Sequence, residues 1–224
     1  MESATLHRPP PLPALIQLGL VGLLLVAAVI AWALTNSQMG GMDAGPGTDL
    51  GSLGFFIGVW VLMMAAMMLP GLVPAVSKFM RAGGRALATP VFAGSYLAVW
   101  TFVGLAAFAL YRPHGAATAG ALTIAAGLYE LTPLKRECRR RCRKTIRSGF
   151  RFGIYCFGSS VGLMVILLSL GVMSLTWMAV VAAVVIAQKV LPPRPFVDVP
   201  VAGAIVVLGI WIVAGPSSVP GLVT

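Results

Sequence analysis

The chain has 224 residues, 58% of them hydrophobic and only 10% charged, with a formal net charge of +10. Soluble chains carry about 25% charged residues, so this composition excludes a water-soluble globule, a disordered tail and a secreted disulfide scaffold. What remains is a polytopic membrane protein: seven spans of roughly 20 residues would use about 140 positions and leave no room for a sizeable soluble domain.

In chain order, residues 1–13 form a short Pro-rich tail and residues 14–34 an uncharged first span, read as uncleaved because it exceeds the usual signal core. Residues 35–51 are polar and Gly-rich, with Asp43 and Asp49 and no Lys or Arg, which suits an outer loop. Span two covers 53–77 and is expected to be broken late by Pro70 and Pro74; Lys78, Arg81 and Arg85 return the chain to the inside. Span three covers 90–111, the outer turn holds Arg112, Pro113 and His114, and span four covers 115–134. The stretch 152–188 lacks any charge. As one helix it would run roughly 55 Å at 1.5 Å per residue, too long for a core of about 30 Å, so it must fold back, best at Gly171–Ser174. Lys189 and Arg194 bracket an inner loop, 199–215 is a short seventh span, and 216–224 is an external tail. The expected architecture is an all-α transmembrane helical bundle of about seven spans over 14–215, with six spans as the competing count.

Between Lys135 and Arg151 lie nine basic residues and one acid, Glu137. Such a run resists translocation and marks a cytoplasmic segment. It places the N-terminus inside and the C-terminus outside. Arg139, Arg140, Arg141 and Arg143 are candidates to meet anionic lipid headgroups or a protein partner; nucleic acid is not the expected partner.

Three cysteines, Cys138, Cys142 and Cys156, fall on or beside this segment. A reducing compartment argues against a stable disulfide. The i, i+4 spacing puts Cys138 and Cys142 on one helix face. Flanking arginines favour the thiolate, the form that binds metal, and Cys156 could fold back as a third soft ligand. Two or three thiolates suit Cu(I), or a closed Zn site if a fourth ligand joins. Met63, Met64, Met67 and Met68 cover about 140° of one helical face, and Met39 and Met42 stand in the outer loop. Thioethers are uncharged soft ligands that prefer Cu(I); the same residues also serve as packing between helices. Glu130 is the acid within a predicted span, and intramembrane ionisable groups are functional candidates; it can equally pair with Lys135 or Arg136. His114 and His7 read as solvated. With no phosphate loop, no HExxH and no credible Ser-His-acid set, the sequence does not read as an enzyme.

Two motifs then converge. Trp60 followed by Ala66-Met67-Met68-Leu69-Pro70, and Tyr129-Glu130-Leu131-Thr132-Pro133-Leu134-Lys135-Arg136-Glu137-Cys138 running on to Cys142-Arg143, together resemble a bacterial family of uncharacterised, predicted metal-binding integral membrane proteins, over about residues 53–191. The resemblance implies a multi-pass protein of the bacterial inner membrane. That family usually continues Cys-Leu-Gly-Cys-Cys, where this chain has Cys156-Phe157-Gly158-Ser159-Ser160; if those thiols bind metal in the family, this member has lost part of the site. The leading expectation is a membrane protein that binds or passes a soft metal ion, Cu(I), between the Met face and the cytoplasmic thiols. The rival is a structural or assembly subunit, alone as an oligomer or with a partner; a redox sensor using the thiols is a third.

Overall fold

The computed structural model describes residues 14–40, 50–82, 87–145, 148–171, 174–191 and 195–215; the terminal tails 1–13 and 216–224, and Met42, Asp43 and Asp49, lie outside the described residues. The described chain is all helical: α1 (Ala14–Met39), α2 (Leu53–Arg81), α3 (Ala88–Leu110), α4 (Ala116–Glu130), α5 (Pro133–Lys144), α6 (Gly149–Leu170), α7 (Leu175–Val190) and α8 (Pro195–Ala214). Each of the seven expected apolar segments is a helix. α1, α2, α3, α6 and α8 are long and apolar enough to cross a membrane. α4 and α7 have 15 and 16 residues, roughly 22–24 Å each, shorter than a full apolar core.

Local chemistry sets the boundaries. The side chains of Ser52, Thr132, Ser148 and Ser174 each accept the backbone N–H three residues on, opening α2, α5, α6 and α7 and satisfying donors a helix start leaves free. Gly171, with φ 125°, ends α6 in a conformation that L side chains rarely adopt, so the 152–188 stretch folds back where expected. Four boundaries differ from expectation. α1 runs on to Met39, five residues past the predicted end, with Thr35 and Met39 buried against the bundle. α2 is not broken at Pro70 or Pro74; packing against α1, α3 and α7 holds it, as neighbouring helices commonly do for prolines in spans. α4 stops at Glu130 because Thr132 caps a new helix and Pro133 occupies its first turn. α8 starts at Pro195, which brings Asp198 into its first turn.

α2 and α6 form the buried heart of the bundle. α2 packs on α1, α3 and α7, while α6 packs on α3, α4, α5 and α7. α4 and α8 pair closely: a Cβ on Gly120 would lie 2.8 Å from the Gly209 carbonyl, and one on Gly209 would lie 2.9 Å from the Gly120 carbonyl. Only glycine allows such backbone approach, a device common in membrane helix pairs. Trp60 on α2 donates its indole N–H to the Trp100 carbonyl on α3 at 2.8 Å. His114 is not free in solvent as expected; its ring nitrogens lie 2.9 and 3.3 Å from the Arg112 and Ser169 carbonyls, tying the turn to the end of α6. Large apolar side chains remain exposed along α1, among them Leu18, Leu23, Val26 and Val29.

Candidate metal centre

The basic segment is a short amphipathic helix, α5, lying along α6. Its 3.6-residue period sorts its residues. Cys138 and Cys142, one turn apart, both face α6. A Cβ on Gly158 would come 2.7 Å from the Cys138 sulfur, so the glycine makes room for that thiol. Cys142 shares a side-chain hydrogen bond with Cys156. Arg140 and Arg141 turn outward and pair with Glu137. Arg143 donates to the Leu191 and Val190 carbonyls at the end of α7, a favourable place for a cation.

Arg139 departs from the expected role at lipid or a partner. It is buried, ion-paired with Asp198 of α8, and also donates to the Gln188 and Leu191 carbonyls. A guanidinium withdrawn from water needs a full set of acceptors, and the end of α7 with the start of α8 supplies them. Beside it, Glu130 and Lys135 form a buried ion pair bridged by Gln188, which donates to the Glu130 carboxylate at 2.8 Å and accepts from Lys135 at 2.9 Å. Glu130 therefore serves the junction of α4, α5 and α7. Its second oxygen, Oε1, is buried without a hydrogen-bond partner and faces Gly162.

The thiol pair sits at a convergence of five helices. Cys156 lies 3.3 Å from the Tyr96 hydroxyl of α3. Lys189 of α7 donates to that hydroxyl at 3.3 Å, lies 3.8 Å from the Met68 sulfur of α2, and hydrogen-bonds Cys156. The Lys189 stem passes over Gly71, where a Cβ would come 2.5 Å from its Cδ. A cavity of about 260 Å³ opens onto the group, with Cys142, Ser159, Gln188 and Lys189 in its wall together with Lys78 and Arg143. Ser159 and Ser160 donate back to the Cys156 carbonyl at 2.8 and 2.7 Å, so their hydroxyls are committed to the helix.

The arginines do not poise the α5 thiols as expected. Burial pushes the Cys138 thiol up from its ordinary value, against a smaller downward pull from Arg141. The hydrogen bond to Cys156, followed by burial, pushes the Cys142 thiol up. In the absence of a metal both favour the thiol. Arg139 and Arg143 spend their charge on Asp198 and on the end of α7.

The structure thus brings together Cys142, Cys156 and, across Lys189, Met68. Met63, Met64 and Met67 are buried in the helix interfaces, as is Met39, which closes α1 rather than standing in a loop. Among the described residues no group of three or more His, Cys, Asp or Glu is assembled as a metal-holding cluster; the soft set is two thiols and a thioether. Sequence reasoning missed Tyr96, Gln188, Lys189 and Asp198. The available signal is Gln188-Lys189 closing a long uncharged run.

A protein-family model, PpoB2, described as a copper chaperone, matches residues 57–212. That range contains the thiols, Met63 to Met68, Tyr96 and Lys189. No curated protein and no solved structure matches the chain.

Proposed function

The chain belongs to this copper chaperone family, and from that premise we propose that it is a membrane-embedded Cu(I) carrier whose binding centre is Cys142 and Cys156, with Met68 as a neighbouring soft ligand. The observation that carries the reading is the contact between two thiols from different helices, 14 residues apart in sequence, with Cys142 in the cavity wall and Cys156 fully buried against it. Thiolates and thioethers select Cu(I) over hard cations. A thiol gives up its proton when it ligates the ion, so loading displaces the proton of Cys142 and overcomes that group's bias toward the thiol. Cys138, half-buried one turn along α5, is placed to receive the ion first and pass it inward by ligand exchange. Nothing in this scheme requires catalysis: the ion is cargo.

In the proposed setting α1, α2, α3, α4, α6, α7 and α8 cross the bacterial inner membrane, the N-terminus is inside and α5 lies on the cytoplasmic face. Arg140, Arg141 and Lys144 would meet anionic headgroups there, where each basic residue contributes about 1 kcal/mol. The burial of Met63, Met64 and Met67 favours a second role for those three, as packing between helices, which keeps the assembly-subunit reading in play for that face alone.

The test is copper stoichiometry of purified protein reconstituted anaerobically with Cu(I). Cys142→Ser combined with Cys156→Ser is expected to lower bound copper severalfold, and Cys138→Ser to slow loading with a smaller loss of stoichiometry. A double variant that folds and holds copper like the parent would rule out the thiol centre.

A further inference from the structure

Lys189 places a cation against the proposed ligands. Its ammonium contacts Tyr96, Met68 and Cys156 at once, and Gly71 supplies the space its stem needs. The surrounding charges are otherwise settled: Glu130 is paired with Lys135, and Asp198 with Arg139. Among the described residues the cavity wall carries Lys78, Arg139, Arg143 and Lys189 and no acid. We propose that Lys189 is the specificity-determining residue that makes the centre accept a monovalent soft ion and reject a divalent one. This rests on the reading that Cys142 and Cys156 hold the ion.

The argument is a charge count. Two thiolates and one ammonium sum to −1. A monovalent ion brings the buried group to zero, whereas a divalent ion leaves +1 beside Arg139, Arg143 and Lys78. Uncompensated charge is costly where water is scarce, and at contact distance one unit of charge is enough to change affinity by well over tenfold. Ligand softness alone does not exclude a divalent ion, because thiolates also bind Zn(II). Replacement of Lys189 by a neutral side chain leaves −2, which a divalent ion neutralises.

Ag(I) and Cd(II) are isoelectronic soft ions that differ by one charge, so they separate charge from softness. Their affinities would be measured by competition for parent, Lys189→Gln and Lys189→Arg protein, with melting temperature as a control on folding. The parent is expected to favour Ag(I). The Gln variant should shift the Ag(I)-to-Cd(II) ratio toward Cd(II) by about tenfold or more, while the Arg variant keeps the parent's preference. A folded Gln variant whose ratio stays within about twofold of the parent overturns the role of Lys189 while leaving the thiol centre standing. Should Gln at 189 prevent folding, Lys189→Leu carries the same expectation. A parent that binds neither ion through Cys142 and Cys156 overturns both this inference and the reading beneath it.

Discussion

Gly71 and Lys189 occupy complementary space: the missing side chain of one is the channel for the other, since a Cβ on Gly71 would lie 2.5 Å from Lys189 Cδ and 2.9 Å from its Nζ. The obstructed atoms are the far end of a flexible chain, so the lysine rather than the backbone gives way. Gly71→Ala is expected to keep the fold, with helix propensity even favouring Ala, while the ammonium leaves Tyr96. Acetylation of Lys189, followed by peptide mass spectrometry, should then be faster than in the parent. An unchanged rate would show that the stem has another route to the same position.

The methionines divide into two classes by position. Met→Leu swaps preserve volume and usually cost less than about 1.5 kcal/mol. Met63, Met64 and Met67 replaced together by Leu should leave Cu(I) affinity within about twofold, because among these and Met68 it is the Met68 sulfur that meets Lys189. Met68→Leu alone should weaken Cu(I) severalfold with little change in melting temperature. Equal effects from both variants, read by competition with a Cu(I) chelator, would contradict the division.

Glu130 and Lys135 are 0% and 1% exposed. Removing one partner of a buried pair strands the other's charge, at a cost of about 3–5 kcal/mol. Glu130→Gln should therefore lower the melting temperature clearly, and the added change Lys135→Met should recover most of the loss. Thermal unfolding in detergent distinguishes this from a functional role, in which the double variant would stay defective in copper binding while regaining stability.

Cys138 offers a pH test. Its thiol is held above the ordinary value by burial, so at a given pH near neutrality less of it is thiolate than in a free cysteine. Alkylation by iodoacetamide in the metal-free protein should be slow at pH 8 and should rise with pH to a midpoint above about 8.5, the value of an unperturbed thiol. A midpoint below that value would restore the arginine-activated thiolate expected from the sequence.

Orientation is checked by impermeant thiol labelling of single-cysteine variants in intact cells. Arg140 is 65% exposed, so a cysteine there is accessible to reagent on its own side. No labelling at 140 and labelling at 43 is the expected pattern if α5 is cytoplasmic.

Much of the fold was legible because composition acts over whole segments. The long uncharged runs became α1, α2, α3 and α6, and the break at Gly171–Ser174 followed from length alone. Boundaries set by single polar contacts were not legible. Thr132 and Pro133 resemble the end of a span in sequence although they open a new helix, and Asp198 resembles a loop residue although α8 begins at Pro195. The site was half legible for the same reason. Cys138 and Cys142 declare a shared face by spacing, but their partners Cys156, Tyr96, Met68 and Lys189 come from four other helices. Nothing in a linear sequence announces that a lysine closing α7 reaches a methionine 121 residues earlier.

The clamp of Arg139 by Gln188 and Asp198 carries a consequence for biosynthesis. Chains emerge N-terminus first, and the acceptors for Arg139 lie 49 and 59 residues after it. Until α7 and the start of α8 have been synthesised, the guanidinium lacks these acceptors, and α5 rests on the flank of α6 without that clamp. Lys189 arrives in the same late stretch. Cys142 and Cys156 are made earlier, so a prematurely terminated chain would carry both thiols without the lysine proposed to set their selectivity. The order of synthesis would thereby act as a safeguard: the proposed ion site is completed only in a nearly finished polypeptide.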